Sequence, residues 1–247
     1  MSLNLTLPEN VVVEKEQDRI SGAKFTLDTG VYLVKIVQAF FSKSAGGATA
    51  MNFLFKTSEG KDFSQVIYIT NKQGGITYTS KKGPNKGMEF PLPGYLLVDS
   101  ICKLAVNKPL SEVAAYDEHS KKYVNVKAIT VSVRDFTSKQ NVNKTYDMFT
   151  DLMDAKLHLA IEERKVNKQV DNGNGYENTN EARVINEIVK VFTVNGLTST
   201  ELEKGLTEPL FMKEWSDKNS GKLVDQFKPV SNGVSSGIPK QTSASAF

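Results

Sequence analysis

The sequence predicts a mainly β protein with short helices, and three features of the chain lead to this prediction. Several segments alternate apolar and polar residues with the period of two that is typical of a half-buried strand. Short glycine-containing turns separate the first of these segments, as in an antiparallel meander. One stretch with helical spacing follows, and strand-like segments then return. The chain of 247 residues is long enough to bury a substantial core.

The first three predicted strands form the meander. The segment that begins at Gly30, GVYLVKIVQAFFSKS, is rich in β-branched and aromatic residues, which is typical of a strand covered on both faces. The turn AGG at 45–47 leads into TAMNFLFKTSEG, where Met51, Phe53 and Phe55 share one face. After the turn SEGK, DFSQVIYIT is the third strand.

The remaining elements mix helix and strand. GYLLVDSICKLAV has apolar residues at helical spacing, and Asn107 with Pro109 ends the predicted helix. KKYVNVKAITVSVRDF, NVNKTYDMFTDLM and KLHLAIEERKV alternate like strands. VDNGNGYENTNEA is polar and glycine-rich, which indicates a flexible loop. ARVINEIVKVFT fits strand and helix equally, whereas STELEKGL and EPLFMKEWSDKN indicate short helices.

This order of elements is the plan of an OB-fold, a five-stranded Greek-key barrel, here with a helix between strands and a C-terminal extension. We predict four regions from the changes in composition along the chain. They are an N-terminal arm at 1–22, an OB-fold core at 23–170, a C-terminal part that packs on the core at 171–220, and a disordered tail at 221–247.

Composition narrows the classes of function. Cys102 is the single cysteine and lies in an apolar run, so we predict a buried thiol and no disulfide within the chain. A zinc site would need carboxylates beside His119 and His158, the two histidines. The N-terminus has no features of a secretory signal, and no window is apolar enough to span a bilayer, which predicts a cytoplasmic protein.

Carboxylates near strand ends are the catalytic pattern that the sequence offers. Metal-dependent nucleases hold a hard cation with such oxygen ligands. Asp147, Asp151 and Asp154 lie near predicted strands, although their spacing matches no nuclease signature. Charged side chains of this kind are usually solvated. We therefore predict no catalysis, no metal and no cofactor, and a metal-dependent nuclease or other DNA-processing enzyme stays open as an alternative.

Lysines interleaved with aromatic residues point instead to single-stranded nucleic acid, because lysines neutralise phosphates and bases stack on rings. One such region is GGITYTSKKGPNKGMEFPLPG, and another runs from Lys121 to Tyr146. Phe40 and Phe41 are adjacent, so both cannot face the core, and they close the first strand where an OB-fold meets its ligand. The predicted binding residues are Phe41, Lys43, Tyr78, Lys81, Lys82, Lys86, Phe90, Lys121, Lys122, Arg134, Lys144 and Tyr146.

Several stretches resemble a family. GVYLVKIVQAFFSKSAGGATAMNFLF, QVIYIT, FPLPGYLLVDSICKLA, RVINEIVKVFTVNGLTSTELEKG and EPLFMKEWSDKNSGK resemble single-stranded DNA-binding proteins of tailed bacteriophages, with PLPG as the most distinctive motif. The resemblance covers roughly residues 20–223. It implies an OB-fold that coats single-stranded DNA during phage DNA replication, recombination and repair in the host cytoplasm. It also implies phage polymerase, helicase, primase or nuclease as protein partners.

The C-terminal end departs from that family. Related phage proteins often end in a run of acidic residues closed by an aromatic residue, which competes with DNA and recruits replication enzymes. This chain keeps Phe247 as a candidate docking residue, but no Asp or Glu follows Asp225, and Lys228 and Lys240 lie in the tail. The family's autoinhibition is therefore in doubt here. RNA binding by the same face, a homodimer through strand edges, and a virion or protein-interaction role stay open.

Overall fold

The computed structural model describes residues 26–134, 140–171 and 176–230, and these ranges form twelve strands and four α-helices. The strands are β1 (Gly30–Lys43), β2 (Thr49–Thr57), β3 (Asp62–Tyr68), β4 (Thr77–Thr79), β5 (Glu89–Pro91), β6 (Tyr116–Asp117), β7 (Lys122–Tyr123), β8 (Val126–Arg134), β9 (Asn141–Phe149), β10 (Lys156–Asp171), β11 (Tyr176–Phe192) and β12 (Leu223–Asp225). The helices are α1 (Pro93–Val106), α2 (Leu110–Val113), α3 (Ser199–Glu203) and α4 (Leu210–Asn219), with a 3-10 turn at Thr150–Leu152. The predicted mainly β class with short helices is confirmed.

Eight strands form one sheet, and its path runs β11–β10–β1–β2–β3. Strand β9 pairs with β1, β8 pairs with β9, and β12 runs parallel to β10, whereas the other pairs are antiparallel. Two short hairpins, β4–β5 and β6–β7, stand apart from this sheet. Within the described ranges no pairing joins β3 to β11, so the sheet is open and does not form the closed five-stranded barrel that the sequence predicts.

A β-bulge in β1 decides which of its side chains reach the core. Val34 and Ile36 are buried, and the pairing with β2 then shifts between Ile36 and Gln38. A bulge adds one residue to its strand, so the alternation of faces moves by one position. Beyond it Ala39 is buried and Phe41 packs against the core cluster. On β2, the predicted core residues are buried: Met51, Phe53 and Phe55.

Helix α1 contacts both ends of the sheet path, β3 and β11. It begins at Pro93, where a missing N–H costs nothing, and ends at Asn107, which adopts the left-handed conformation. A Cβ on Gly94 would lie 2.0 Å from the carbonyl oxygen of Tyr68, so glycine is required for the helix to approach β3 this closely. The PLPG motif therefore has a packing explanation, because its glycine lets α1 cover the open side of the core.

The segment VDNGNGYENTNEA predicts a flexible loop, but its described residues, 170–171 and 176–182, belong to strands β10 and β11. Pairing continues to Asp171 opposite Tyr176, and ARVINEIVKVFT is strand. The polar residues pair across the hairpin, as Lys168 does with Glu181 at 2.6 Å. Polar composition here reflects two exposed strands and does not indicate a loop.

Parts of the predicted organisation lie outside the described residues. They are the N-terminal arm at 1–22, the tail beyond residue 230, and Phe247. The first part of the predicted tail is described, and β12 within it pairs with β10. Among the helices of the described ranges, none is long and apolar enough to cross a membrane.

Candidate nucleic-acid interface

Three separate elements meet at the carboxyl-terminal end of β1. Phe40 pairs this end with β9, and thereby with the β8–β9 ribbon. The ring of Phe41 contacts Tyr123 of the β6–β7 hairpin. In the turn after β1, a Cβ on Gly47 would lie 3.0 Å from the carbonyl oxygen of Lys72, so this turn packs on the loop that leads into β4. The fold therefore brings β9, the β6–β7 hairpin and the loop before β4 to one end of β1.

The outer face of the sheet, opposite the core, carries an aromatic stack at this point. The rings of Phe40 and Tyr146 have centroids 4.1 Å apart and an interplanar angle of 27°, and both side chains are half-buried. Lys127 lies opposite Met148 on the same face, and Lys144 lies two residues before Tyr146. We call Phe40, Tyr146, Lys127 and Lys144 the aromatic face.

Asn52 fixes the backbone beside this stack. Its Nδ2 donates to the carbonyl oxygen of Phe40 at 3.2 Å and to the hydroxyl of Ser42 at 2.7 Å. These bonds hold the end of β1 against β2. Asn52 is not among the predicted binding residues, and its alternation with the buried Met51 and Phe53 was the available signal.

Phe41, a predicted stacking residue, lies on the core side of the sheet. Its ring meets Phe149 edge-on at 4.7 Å and Tyr123 at 5.4 Å between centroids, and it belongs to the edge of the core cluster. Burial, and to a lesser degree nearby Tyr116, raises the pKa of Tyr123. Phe41 therefore supports the β6–β7 hairpin, and its neighbour Phe40 takes the outward position.

The β4–β5 hairpin brings together the residues that the opening basic region predicts. Tyr78 lies opposite Phe90, with ring centroids 6.0 Å apart, and Tyr78 is exposed while Phe90 is half-buried. Lys81, Lys82 and Lys86 lie in the connecting loop and are exposed. We call these five residues the basic hairpin, because its aromatic pair sits at the base of a loop with three cations.

As is also true of lysines elsewhere, such as Lys156 and Lys213, seven lysines of the predicted binding segments have no carboxylate partner among the described residues. They are Lys43, Lys81, Lys82, Lys86, Lys122, Lys127 and Lys144. Three basic side chains of β10 are paired: Arg164 with Glu162 and Glu187, Lys165 with Asp225, and Lys168 with Glu181. Uncompensated cations leave a positive potential that attracts an anionic ligand.

Three other predicted positions contribute differently. Lys121 is paired with Glu118 at 2.7 Å, so its charge is partly compensated. Arg134 lies opposite Asn141 at the end of β8. Phe247 lies outside the described ranges.

The carboxylates of the nuclease alternative are not brought together. Asp151 pairs with Lys108 at 2.7 Å, Asp154 pairs with Lys35 at 2.9 Å, and Asp147 is exposed on β9. Across the described ranges, no three His, Cys, Asp or Glu side chains are grouped so that they could hold a metal ion.

The thiol of Cys102 is buried in α1 as predicted. Burial, followed by the negative charge of Asp99, raises the pKa of Cys102 to about 12. A thiol with this pKa stays protonated near neutral pH and is a poor nucleophile.

No protein-family model matches the chain, and no curated protein matches it in sequence. Any functional assignment therefore depends on the residues themselves.

Proposed function

We propose that this chain is a non-enzymatic protein that binds single-stranded DNA without regard to sequence. The observation that carries the proposal is the half-buried Phe40–Tyr146 stack on the outer face, flanked by Lys127 and Lys144 without carboxylate partners. The β6–β7 hairpin contacts the same strand end through Tyr123, and the loop that leads to the basic hairpin packs on the turn after β1. Aromatic faces beside uncompensated cations are the combination that single-strand binders use.

In the proposed mechanism, aromatic rings stack on bases and lysines contact phosphates. A base would stack on the solvent-facing part of the Phe40–Tyr146 pair and another on Tyr78, each contributing about 1–3 kcal/mol. The lysines of the aromatic face and of the basic hairpin would neutralise phosphates and release bound counterions. In an OB-fold the loop after the first strand lies beside the ligand, and the turn after β1 would take the corresponding role in this proposal.

The same geometry favours single strands over duplex. An aromatic side chain can stack on a base only when that base is unstacked from its neighbours. A duplex keeps its bases stacked on one another inside the helix. The Nδ2 of Asn52, beside the stack, already donates to Phe40 and Ser42, so it is not free to donate to a base edge. Contacts to phosphates and base faces alone would be insensitive to sequence.

The resemblance to phage single-strand binders supplies the biological setting of the proposal. The protein would coat and protect single strands in phage DNA replication, recombination and repair, beside a phage polymerase, helicase, primase or nuclease. A homodimer through strand edges is compatible with this role.

A fluorescence-anisotropy titration of labelled oligo-dT at low and high salt tests the proposal. We expect tight binding at low salt that weakens steeply as salt rises, and that the matching duplex does not displace. Oligo-U in the same assay separates DNA from RNA preference. An absence of binding at low salt, or an affinity that salt does not change, would contradict the proposal.

A further inference from the structure

A groove of about 560 Å³ separates the two ends of the sheet path, β3 and β11. Consecutive residues line both sides: Gln65–Tyr68 from β3 and Ile185–Val189 from β11. Alternate residues of a strand point to opposite faces, so a wall of consecutive residues is the edge of a strand. The amino-terminal turn of α1, with Pro93 and Gly94, lines the same groove. We call this space the β3–β11 groove.

The edge of β3 offers backbone groups to this groove. The N–H of Ile69 donates to the carbonyl oxygen of Thr49, the first residue of β2. On the other side of β3, the carbonyl oxygen of Tyr68 lies close to Gly94 of α1. Backbone groups alternate sides along a strand, so Val66, two residues before Tyr68, also directs its N–H and C=O away from β2. Within the described residues, no strand pairs with this edge.

The edge of β11 is irregular where it faces the groove. Its pairing with β10 shifts between Ala160 opposite Lys190 and Ile161 opposite Ile188, which leaves Val189 as an extra residue. Bulges of this kind are frequent at sheet edges and next to binding sites, where they re-aim the strand. The bulged residue is one of the groove-lining residues.

Gln65, one of the residues that line the groove, carries an unsatisfied polar atom. Oε1 of Gln65 is buried, and it is the one buried side-chain oxygen or nitrogen of the described residues without a hydrogen-bond partner. A buried acceptor without a donor costs roughly 1–3 kcal/mol. An N–H group of an occupant would remove this cost.

The lining chemistry favours a peptide over a nucleic acid. Most side chains of the groove are apolar, including Val66, Ile67 and Leu97. Its one basic residue, Arg164, is already paired with Glu162 and Glu187, so no uncompensated cation faces an entering phosphate. Two open strand edges, an unsatisfied acceptor and apolar walls are the features that receive an added strand.

We propose that the β3–β11 groove binds an extended peptide segment of a partner protein, which pairs with the edge of β3 and carries apolar side chains at alternate positions. The backbone of Val66 would supply the pairing, and Gln65 would accept a hydrogen bond from the peptide. The site lies outside the residues proposed to contact DNA, so one chain would hold both ligands.

The test is selection of a random 12-residue peptide library on the full chain, followed by affinity measurements on the enriched peptides. We expect enriched peptides with apolar residues at alternate positions. Val66→Pro removes the N–H at the edge of β3 and should lower the affinity for these peptides tenfold or more. The variant should still fold, because proline is tolerated on an edge strand. Gln65→Met keeps side-chain volume and removes the unsatisfied acceptor, so it should raise the melting temperature. The same change should lower the affinity for the peptides about fivefold.

Matched controls separate the groove from general effects. Lys61→Gln, in the neighbouring turn, should leave peptide affinity unchanged, and both groove variants should keep oligo-dT binding at the wild-type level. Peptides that bind Val66→Pro and Gln65→Met as well as wild type would overturn the proposal, as would a selection that enriches no peptide. Displacement of the peptides by excess oligo-dT would overturn it in favour of a DNA path through the groove.

Discussion

The ring of Phe40 in β1 stacks on the ring of Tyr146 in β9, with centroids 4.1 Å apart and planes inclined by 27°. The backbone pairing of these two strands is confined to Phe40 opposite Met148, so the aromatic stack extends a short junction between the main sheet and the β8–β9 ribbon. The same rings keep part of their surface in solvent. One contact therefore orients the ribbon and, in our account, presents a platform for bases.

Replacing Phe40 or Tyr146 with leucine should weaken the binding of oligo-dT. Each change removes an aromatic face and keeps an apolar side chain, and a stacked base is worth about 1–3 kcal/mol, or roughly 5- to 150-fold in affinity. Fluorescence anisotropy at constant salt measures the effect. Tyr176→Leu is the matched control, because Tyr176 is 72% exposed on the β10–β11 hairpin. This variant should bind oligo-dT with the affinity of wild type. Equal losses in all three variants would contradict a localised site.

The loop of the basic hairpin should set part of the salt dependence. The slope of log Kobs against log salt changes by about 0.7 for each phosphate contact to a single strand. Replacing Lys81, Lys82 and Lys86 with glutamine should therefore make the slope shallower by up to about 2. Binding titrations at four salt concentrations give the slope.

Lys165→Gln with Lys168→Gln is the control for this loop. Both lysines are exposed, but each pairs with a carboxylate, Asp225 and Glu181. This variant should keep the wild-type slope although it also loses positive charge. A slope that follows net charge alone, in both variants, would argue against phosphate contacts by the loop.

Gly94→Ala should destabilise the fold through a clash between α1 and β3. Its Cβ would lie 2.0 Å from the carbonyl oxygen of Tyr68, and backbone cannot move aside as a flexible side chain does. Overpacking typically costs about 1–3 kcal/mol, and we expect the upper part of that range. Thermal unfolding followed by circular dichroism measures the change.

Gly30→Ala is the comparison for this substitution. Its Cβ would meet the ring of Tyr32 at 3.4 Å, which is ordinary contact, so the melting temperature should change little. Equal destabilisation by the two alanines would show that loss of glycine itself, rather than the approach of α1 to β3, is responsible.

Glu201 should stabilise the C-terminal helices in a pH-dependent manner. It is buried, and its carboxylate accepts hydrogen bonds from the N–H and hydroxyl of Thr198 and from the N–H of Phe211. Burial acts to raise the pKa of Glu201, but the bonds from the Phe211 and Thr198 backbones and the Thr198 hydroxyl outweigh it, and the pKa is lowered. A lowered folded-state pKa gives stability that is present above the unfolded pKa and is lost as pH falls through the folded pKa.

Glu201→Gln should therefore lower the free energy of unfolding at pH 7 by about 1–3 kcal/mol, the value of hydrogen bonds to a charged group. The difference from wild type should shrink below about pH 4, where unfolded glutamate is protonated. Urea unfolding at both pH values measures it. A difference that does not depend on pH would mean that shape, not charge, makes Glu201 important.

Cys102 should be unreactive in the folded protein. Its thiol is buried and its pKa is raised to about 12, so thiolate is scarce at pH 8 and reagents have no access. Mass spectrometry should show no N-ethylmaleimide adduct in buffer and complete labelling in urea. Rapid labelling in buffer would contradict the position of α1 against the core.

The sequence predicts the class of the fold because its signals are local. Alternation places Met51 and Phe53 in the core of β2, and helical spacing with the flanking Asn107 defines α1. The choice between Phe40 and Phe41 is different, because the bulge at Val37 moves the alternation by one residue. That bulge arises from pairing with β2 and leaves no local signal, so counting from Gly30 cannot assign the two rings.

Closure of the sheet also depends on distant parts of the chain. Whether β3 meets β11 is decided by α1, which packs between them through the contact of Gly94 with Tyr68. The sequence motif PLPG marks this place without showing that the helix contacts both strands. The polar residues at 176–182 predict a loop because the ion pair of Glu181 with Lys168 forms only across the hairpin and is not visible in the local sequence.

Photo-crosslinking tests the central claim most directly, because it reports both binding and position. A single-stranded oligonucleotide with 5-iodouracil is bound at low salt, irradiated, and the attached residues are identified by mass spectrometry. We predict attachment at Phe40, Tyr146 or Tyr78, and a large excess of unlabelled oligo-dT should abolish it. Attachment confined to Tyr176 and the β10–β11 hairpin, or no attachment at all, would contradict it.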